Sequence, residues 1–366
     1  MRRGALWLTI AILTLSCGSG STSGGQSAAT RSSPSASVAV SPTASATPNP
    51  LSGSFGLLLS AGTLFLINPD ASEAASVTVA PPSVQSCVQG MAAVLQPPVS
   101  ATDDQVYFRD GDTKIRMVVP PASFVDVTTV PGDANTISFF SVSPDDKRIA
   151  VMVEDLSAAG AIKLRLYVED LHGGGHHADI YTSTTTKGKG ETTLWPMGWH
   201  QGRLVLAVWA VCTVQKVSNP VEWHVVDAST ATRLATIGSA SCVPAAWPSP
   251  AGVACFDPSN GGHVRVSDWT GNPRATLVTV VGATALSPSG RLLAEGSGGG
   301  PGDPSPKTTM LSVDGSGVVT TPGHMGCMWM DDGHVLAPDA VIAYPSGAAI
   351  ALAQSGQCAG RFPGSL

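Results

Sequence analysis

Residues 142–150 read VSPDDKRIA, and residues 286–294 read LSPSGRLLA. In both, an apolar strand ends at Ser-Pro, turn residues follow, and a basic residue opens a second apolar strand. Proline fixes φ at a turn, and Asp, Ser and Gly tolerate the backbone conformations that a tight reversal needs. Each phrase is therefore a β-hairpin, turning at Ser143, Pro144 and Asp145 in the first case and at Ser287, Pro288 and Gly290 in the second. Fainter copies lie at 100–109 (SATDDQVYFR), 199–208 (WHQGRLVLAV), 247–256 (WPSPAGVACF) and 329–338 (WMDDGHVLAP). The last turn residues of the six copies, Asp104, Asp146, Gly202, Gly252, Gly290 and Gly333, are spaced by about 46 residues on average. A repeat of about 40–45 residues with several short strands per unit predicts the blades of a β-propeller.

A second phrase recurs out of step with the first. EWHVVDASTATRLATI (222–237) reads strand, Asp-containing turn, strand, and so do 63–79, 164–182, 264–280 and 309–321. These supply the outer two strands of each unit. Six such units run from about Val84 to Gln357. The stretch 55–82 supplies only three strands, and a short piece near Arg361 is left over. Joining them closes a ring of seven four-stranded blades, all-β, with about 45 residues in each; an irregular six-bladed ring is the alternative. Composition agrees: 13% of residues are charged, and the 40 Gly and 28 Pro suit many short strands and tight turns.

The phrase Ser-Pro-Asp-x-Lys/Arg-x-apolar-Ala resembles the WD40-like repeat of periplasmic TolB-type propellers. It is specific at Ser143–Ala150 and Ser287–Ala294 and looser at Trp329–Ala337. The true WD40 pattern, with Gly-His and Trp-Asp pairs, is absent. The resemblance implies a binding platform; propeller-capped peptidases also carry the phrase, but they need a separate hydrolase domain.

The N-terminus gives an address. A basic MRRG precedes an apolar run at 5–15, too short to span a bilayer but suited to a signal-peptide core. It ends at Ser16-Cys17, which resembles a bacterial lipoprotein signal, although Thr14 and Leu15 depart from the usual pattern. The resemblance implies cleavage before Cys17 and lipidation of its thiol. Residues 18–50 are mostly Ser, Thr, Ala, Gly and Pro with one charge, Arg31, and too little apolar surface to offset ordering entropy. The chain thus divides into a signal peptide (1–16), a lipidated cysteine and flexible tether (17–51) and a propeller (52–366). The expected location is the outer face of the cytoplasmic membrane, or secretion.

Export agrees with six further cysteines, Cys87, Cys212, Cys242, Cys255, Cys327 and Cys358, as disulfide partners. Placing Cys87, Cys242 and Cys327 at the starts of inner strands makes Cys212–Cys242 the favoured bridge, followed by Cys327–Cys358.

Candidate sites are few. His172, His176 and His177 surround three glycines in a hairpin at a blade's outer edge, where glycine serves the turn more simply than imidazoles serve a metal. Asp110 and Asp112 have calcium-loop spacing without the later ligands. Trp195, Trp199, Trp247 and Trp329 lie on inner strands, where packing between blades accounts for most of them. Glu295 is an isolated acid. No Gly-x-Ser-x-Gly elbow occurs in the globular part. No cofactor or metal is implied, and a net charge of −6 without a basic cluster excludes a nucleic-acid role. The expected function is a monomeric, membrane-anchored, non-enzymatic scaffold for an envelope protein, peptide or glycan. A hydrolase or lyase with a site at the channel mouth, and an envelope sensor, are the competing classes.

Overall fold

The computed structural model describes residues 49–366, apart from 85–86, 88–91, 174, 214–218, 240, 260–262, 278–283 and 299–304. The expected signal peptide, Cys17 and nearly all of the expected tether therefore lie outside the described residues. The described chain is all-β: seven antiparallel four-stranded blades of a propeller and one two-stranded ribbon. The inner strands of blades one to six are Val99–Ala101, Thr136–Val142, Thr192–His200, Val243–Pro244, Thr284–Leu286 and Met328–Trp329. Blade seven closes the ring. Gln357–Phe362 is its inner strand and pairs with Phe55–Ser60, followed outward by Thr63–Ile67 and Glu73–Thr78. The closure by three N-terminal strands and one C-terminal strand is as the sequence pattern predicts. The first of the six intervening blades begins at Val99, not at Val84; residues 79–98 are a connection.

Burial explains why strand sequences change from the axis outward. The second strand of blade two, Arg148–Asp155 (RIAVMVED), lies between neighbouring blades and is apolar on both faces. A strand covered on both sides loses the alternation of a half-exposed one. The outermost strand, Ala178–Thr186 (ADIYTSTTT), keeps only alternate positions half-covered and is rich in β-branched threonine. The largest core cluster fills the joints of blades two, three and four, with Phe139, Met152, Trp195, Trp199 and Trp223 among its members. Each such side chain contributes on the order of 1.5–3 kcal/mol on burial.

Polar links cross between blades inside this core. The indole of Trp199 donates to the Ser141 carbonyl of blade two at 3.4 Å, and that of Trp329 donates to the Ala285 carbonyl of blade five at 3.1 Å. The Ser249 hydroxyl donates to the Ser287 carbonyl at 2.7 Å, tying blade four to blade five.

The three disulfides include the expected Cys327–Cys358 and correct the other expected pairing. Cys212 bonds Cys87, Cys242 bonds Cys255, and Cys327 bonds Cys358. Cys212–Cys242 does not form. Cys87 is not on an inner strand but in the connection 79–98, which reaches blade three and pairs as a ribbon, Ala92–Ala93 against Cys212–Thr213. Cys242 precedes Val243–Pro244, whose Pro244 faces Cys255 in the ladder, so its nearest cysteine lies in its own blade.

Candidate functional site

The inner-strand hairpins all turn on one face of the ring, because every blade starts at the opposite face and runs antiparallel. The quoted turns owe their shape to a capping hydroxyl. Ser143 Oγ accepts the Arg148 amide at 2.9 Å and donates to Asp145 at 2.6 Å, and Asp146 takes φ +54°. Ser287 Oγ accepts the Leu292 amide at 3.2 Å, with Gly290 at φ +72°. Thr102 repeats the cap, accepting the Gln105 amide at 2.9 Å. At this face the Tyr107 hydroxyl of blade one donates to Asp146 of blade two at 3.0 Å. Burial and the neighbouring carboxylate push the Tyr107 pKa up, so it stays a donor.

At the same face two parts of the chain link blades that are not neighbours in the ring. Trp247, half-buried at the end of blade four's inner strand, packs against the cluster of blades six and seven that holds Met328, Met330 and Cys358. Neither blade six nor blade seven adjoins blade four, so this contact skips at least one blade. Residues 363–366 leave blade seven and run past blade one to blade three. The Gly364 amide donates to the Thr102 carbonyl at 2.8 Å, and the Leu366 amide donates to the Trp199 carbonyl at 2.9 Å. His200 Nδ1 lies 2.8 Å from a Leu366 main-chain oxygen. Arg361 donates to the carbonyls of Pro363 at 2.6 Å and Ser365 at 2.9 Å.

At the opposite face, the connection 79–98 ties blade seven to blades one and three. Asp110 accepts the Ala80 amide at 2.7 Å, and Asp112 accepts the Ser83 amide and hydroxyl at 2.6 and 2.8 Å. These contacts account for the pair of aspartates that resembled calcium ligands. Val84 and Cys87 then join the core cluster of blades two to four, and the Val94 amide donates to the Val211 carbonyl at 2.9 Å.

Two ionisable groups lie deep in the blade joints. Glu154 of blade two is fully buried, accepts the Trp195 indole at 3.2 Å, and has its pKa pushed up to about 8 by desolvation. Arg109 of blade one is also buried; its guanidinium donates to the Ser138 carbonyl of blade two, and burial lowers its pKa to about 10.

The remaining candidates behave as structural groups. His176 and His177 sit in the outer hairpin of blade two, paired with Asp170 at 2.9 Å and Glu169 at 2.8 Å. Glu295 is buried in the second strand of blade five, bonded within its surroundings. Trp195, Trp199 and Trp329 are fully buried between blades, leaving Trp247 as the half-buried member of the set. No group of three or more His, Cys, Asp or Glu side chains arranged to hold a metal occurs among the described residues. Sequence reasoning missed Arg361, His200 and Leu366, whose relation depends on ring closure. Glu154 could have been singled out as the acid that directly follows the apolar run Ile149–Val153 of its strand.

No protein-family model matches the chain, and no curated protein matches it by sequence. Solved structures provide likenesses of fold alone. The WD40 domain of Toxoplasma gondii coronin is 9% identical over 74% of this chain and 76% of that one, with a TM-score of 0.40. A chain of the mitotic checkpoint complex is 14% identical over 73% of this chain and 81% of that one, with a TM-score of 0.41. A prolyl endopeptidase is 12% identical over 74% of this chain, with a TM-score of 0.42, but the match spans only 42% of the peptidase.

Proposed function

We propose that this chain is a non-enzymatic binding propeller of the TolB-like kind, anchored by a lipid on Cys17 to the outer face of a bacterial cytoplasmic membrane. Its role is to hold an envelope protein, peptide or glycan against the ring. The observation that carries this reading is that Trp247 and residues 363–366 link non-adjacent blades across the inside of the ring at the hairpin face. Binding then falls to the surfaces of the ring rather than to an open channel. The three disulfides support an oxidising compartment. The opposite face offers apolar contact near blade three, where Leu95 and Val221 are exposed at 42% and 55%.

The test is cross-linking of the tagged full chain in the envelope of its own cells, followed by mass spectrometry. One stoichiometric macromolecular partner, with cross-links confined to one face, supports the reading. Recovery of the chain with no partner overturns it and returns attention to a small-molecule or catalytic role.

A further inference from the structure

The segment 363–366 is bound as peptides are bound by receptors. It forms no strand pairing, yet its backbone is read group by group. The carbonyls of Pro363 and Ser365 accept from Arg361, while the amides of Gly364 and Leu366 donate to Thr102 and Trp199. Proline brings no amide that would need a partner at the first position. Two positions are also selected by shape. A Cβ on Gly364 would stand 2.2 Å from the Ala101 carbonyl oxygen, so only glycine lies this close to blade one. The Leu366 side chain rests on Gly198, where a Cβ would come within 2.6 Å of its Cδ1, and it is 8% exposed.

The groups that hold the segment belong to other parts of the ring, although Leu366 itself joins the core cluster of blades two to four. Thr102, Trp199 and His200 belong to the hairpin turns and inner strands of blades one and three, and Arg361 belongs to the inner strand of blade seven. Arg361 also lies within electrostatic reach of Asp103 and Asp332, in the turns of the two flanking blades. Its guanidinium therefore keeps counter-charges when the segment leaves. Such a groove is preorganised, which is the condition for binding a short extended peptide with little ordering cost.

We propose that the hairpin face carries a peptide-recognition groove, occupied here by the chain's own residues 363–366, that takes an extended partner segment with glycine two positions before an apolar residue. The proposal rests on the scaffold reading and names the kind of partner. Residues 363–366 act as a competitor in cis, with an effective concentration in the millimolar range for so short a connection. A partner segment gains the groove when it outcompetes them.

The experiment titrates a fluorescent tetrapeptide, Pro-Gly-Ser-Leu, against the intact full chain and the full-length Leu366→Ser variant. Leu366→Ser weakens the resident segment and leaves the groove unchanged. The variant is expected to bind the peptide at least about tenfold more tightly than the intact chain, because the cis competitor is weakened. Replacing the peptide's glycine by alanine should cost at least about tenfold in affinity, because the Cβ meets the carbonyl of Ala101. A folded variant that does not bind the peptide up to about 1 mM overturns the proposal. So does a variant that fails to fold, since the segment would then be an indispensable part of the core. Either failure leaves the cross-linking experiment untouched, because a partner held elsewhere on the ring would still be captured.

Discussion

The indole Nε1 of Trp195 donates to Oε1 of Glu154 at 3.2 Å, joining blade three to blade two inside their shared core. Phe139 and Trp209 stack around that indole, with ring centroids 4.8 and 5.0 Å away. The carboxyl is thus surrounded by aromatic surface, and desolvation lifts its pKa from 4.5 to about 8. It is protonated at neutral pH in the folded chain. Between about 4.5 and 8, folding takes up a proton that the unfolded chain has released, so stability falls as pH rises through that window. The loss is on the order of a few kcal/mol. Glu154→Gln keeps the acceptor for Trp195 and removes the ionisation. Urea midpoints at a pH near each end of the window should fall for the parent chain, and Glu154→Gln should remove most of that fall. Equal slopes in the two proteins would reject the assignment.

Glycine is required unequally at the turn anchors. Gly252 holds φ +131°, and a Cβ there would stand 2.0 Å from the Ser267 carbonyl oxygen. Gly202 holds φ +78° with nothing within 4 Å of a Cβ. Gly202→Ala should therefore cost only the left-handed backbone penalty, about 1 kcal/mol. Gly252→Ala adds a backbone clash and should cost about 3 kcal/mol or more. Thermal midpoints of the two variants compared side by side check the order; similar losses would show that the turn of blade four can move aside.

How far the sequence reaches depends on how local the physics is. The turns at Ser143 and Ser287 were legible because cap, proline and left-handed residue all sit within six positions, and their spacing supplied the blade count. Cys212 was misassigned because its partner, Cys87, belongs to a connection that crosses to another blade, and no local pattern marks such an excursion. Arg361 read as leftover chain because its acceptors at Pro363 and Ser365 gain meaning only when residues 363–366 lie across blade one. Trp195 was legible as packing, whereas its hydrogen bond to Glu154 depends on the register of two blades.

Cys17 carries the membrane assignment. A diacylglyceryl group on the Cys17 sulfur, as proposed, would supply the two acyl chains that stable membrane attachment needs. Cys17→Ser should shift the chain from the membrane fraction to the soluble extracytoplasmic fraction while the propeller keeps its melting temperature. The readout is cell fractionation with metabolic labelling by a fatty acid. A serine variant that still sediments with membranes would mean that some other contact holds the chain there.

The three disulfides close loops of very different length, and that sets their rank. Cys87–Cys212 spans 125 residues, Cys327–Cys358 spans 31 and Cys242–Cys255 spans 13. Loop-closure entropy in the unfolded chain gives stabilisations of about 5, 4 and 3 kcal/mol in that order. The contexts reinforce the ranking. Cys87–Cys212 pins the connection 79–98 to blade three, and Cys327–Cys358 joins blade six to blade seven, where Phe55–Ser60 pairs with Gln357–Phe362. Cys242–Cys255 lies within one blade whose ladder already holds Pro244 opposite Cys255. Replacing each pair by alanine and measuring denaturant midpoints should therefore show the smallest loss for Cys242–Cys255 and the largest for Cys87–Cys212. Peptide mapping without reduction should recover these three pairings in the parent. A Cys242–Cys255 loss as large as the others would mean that blade four relies on its covalent link rather than on its ladder and on the packing of Cys255 in the core.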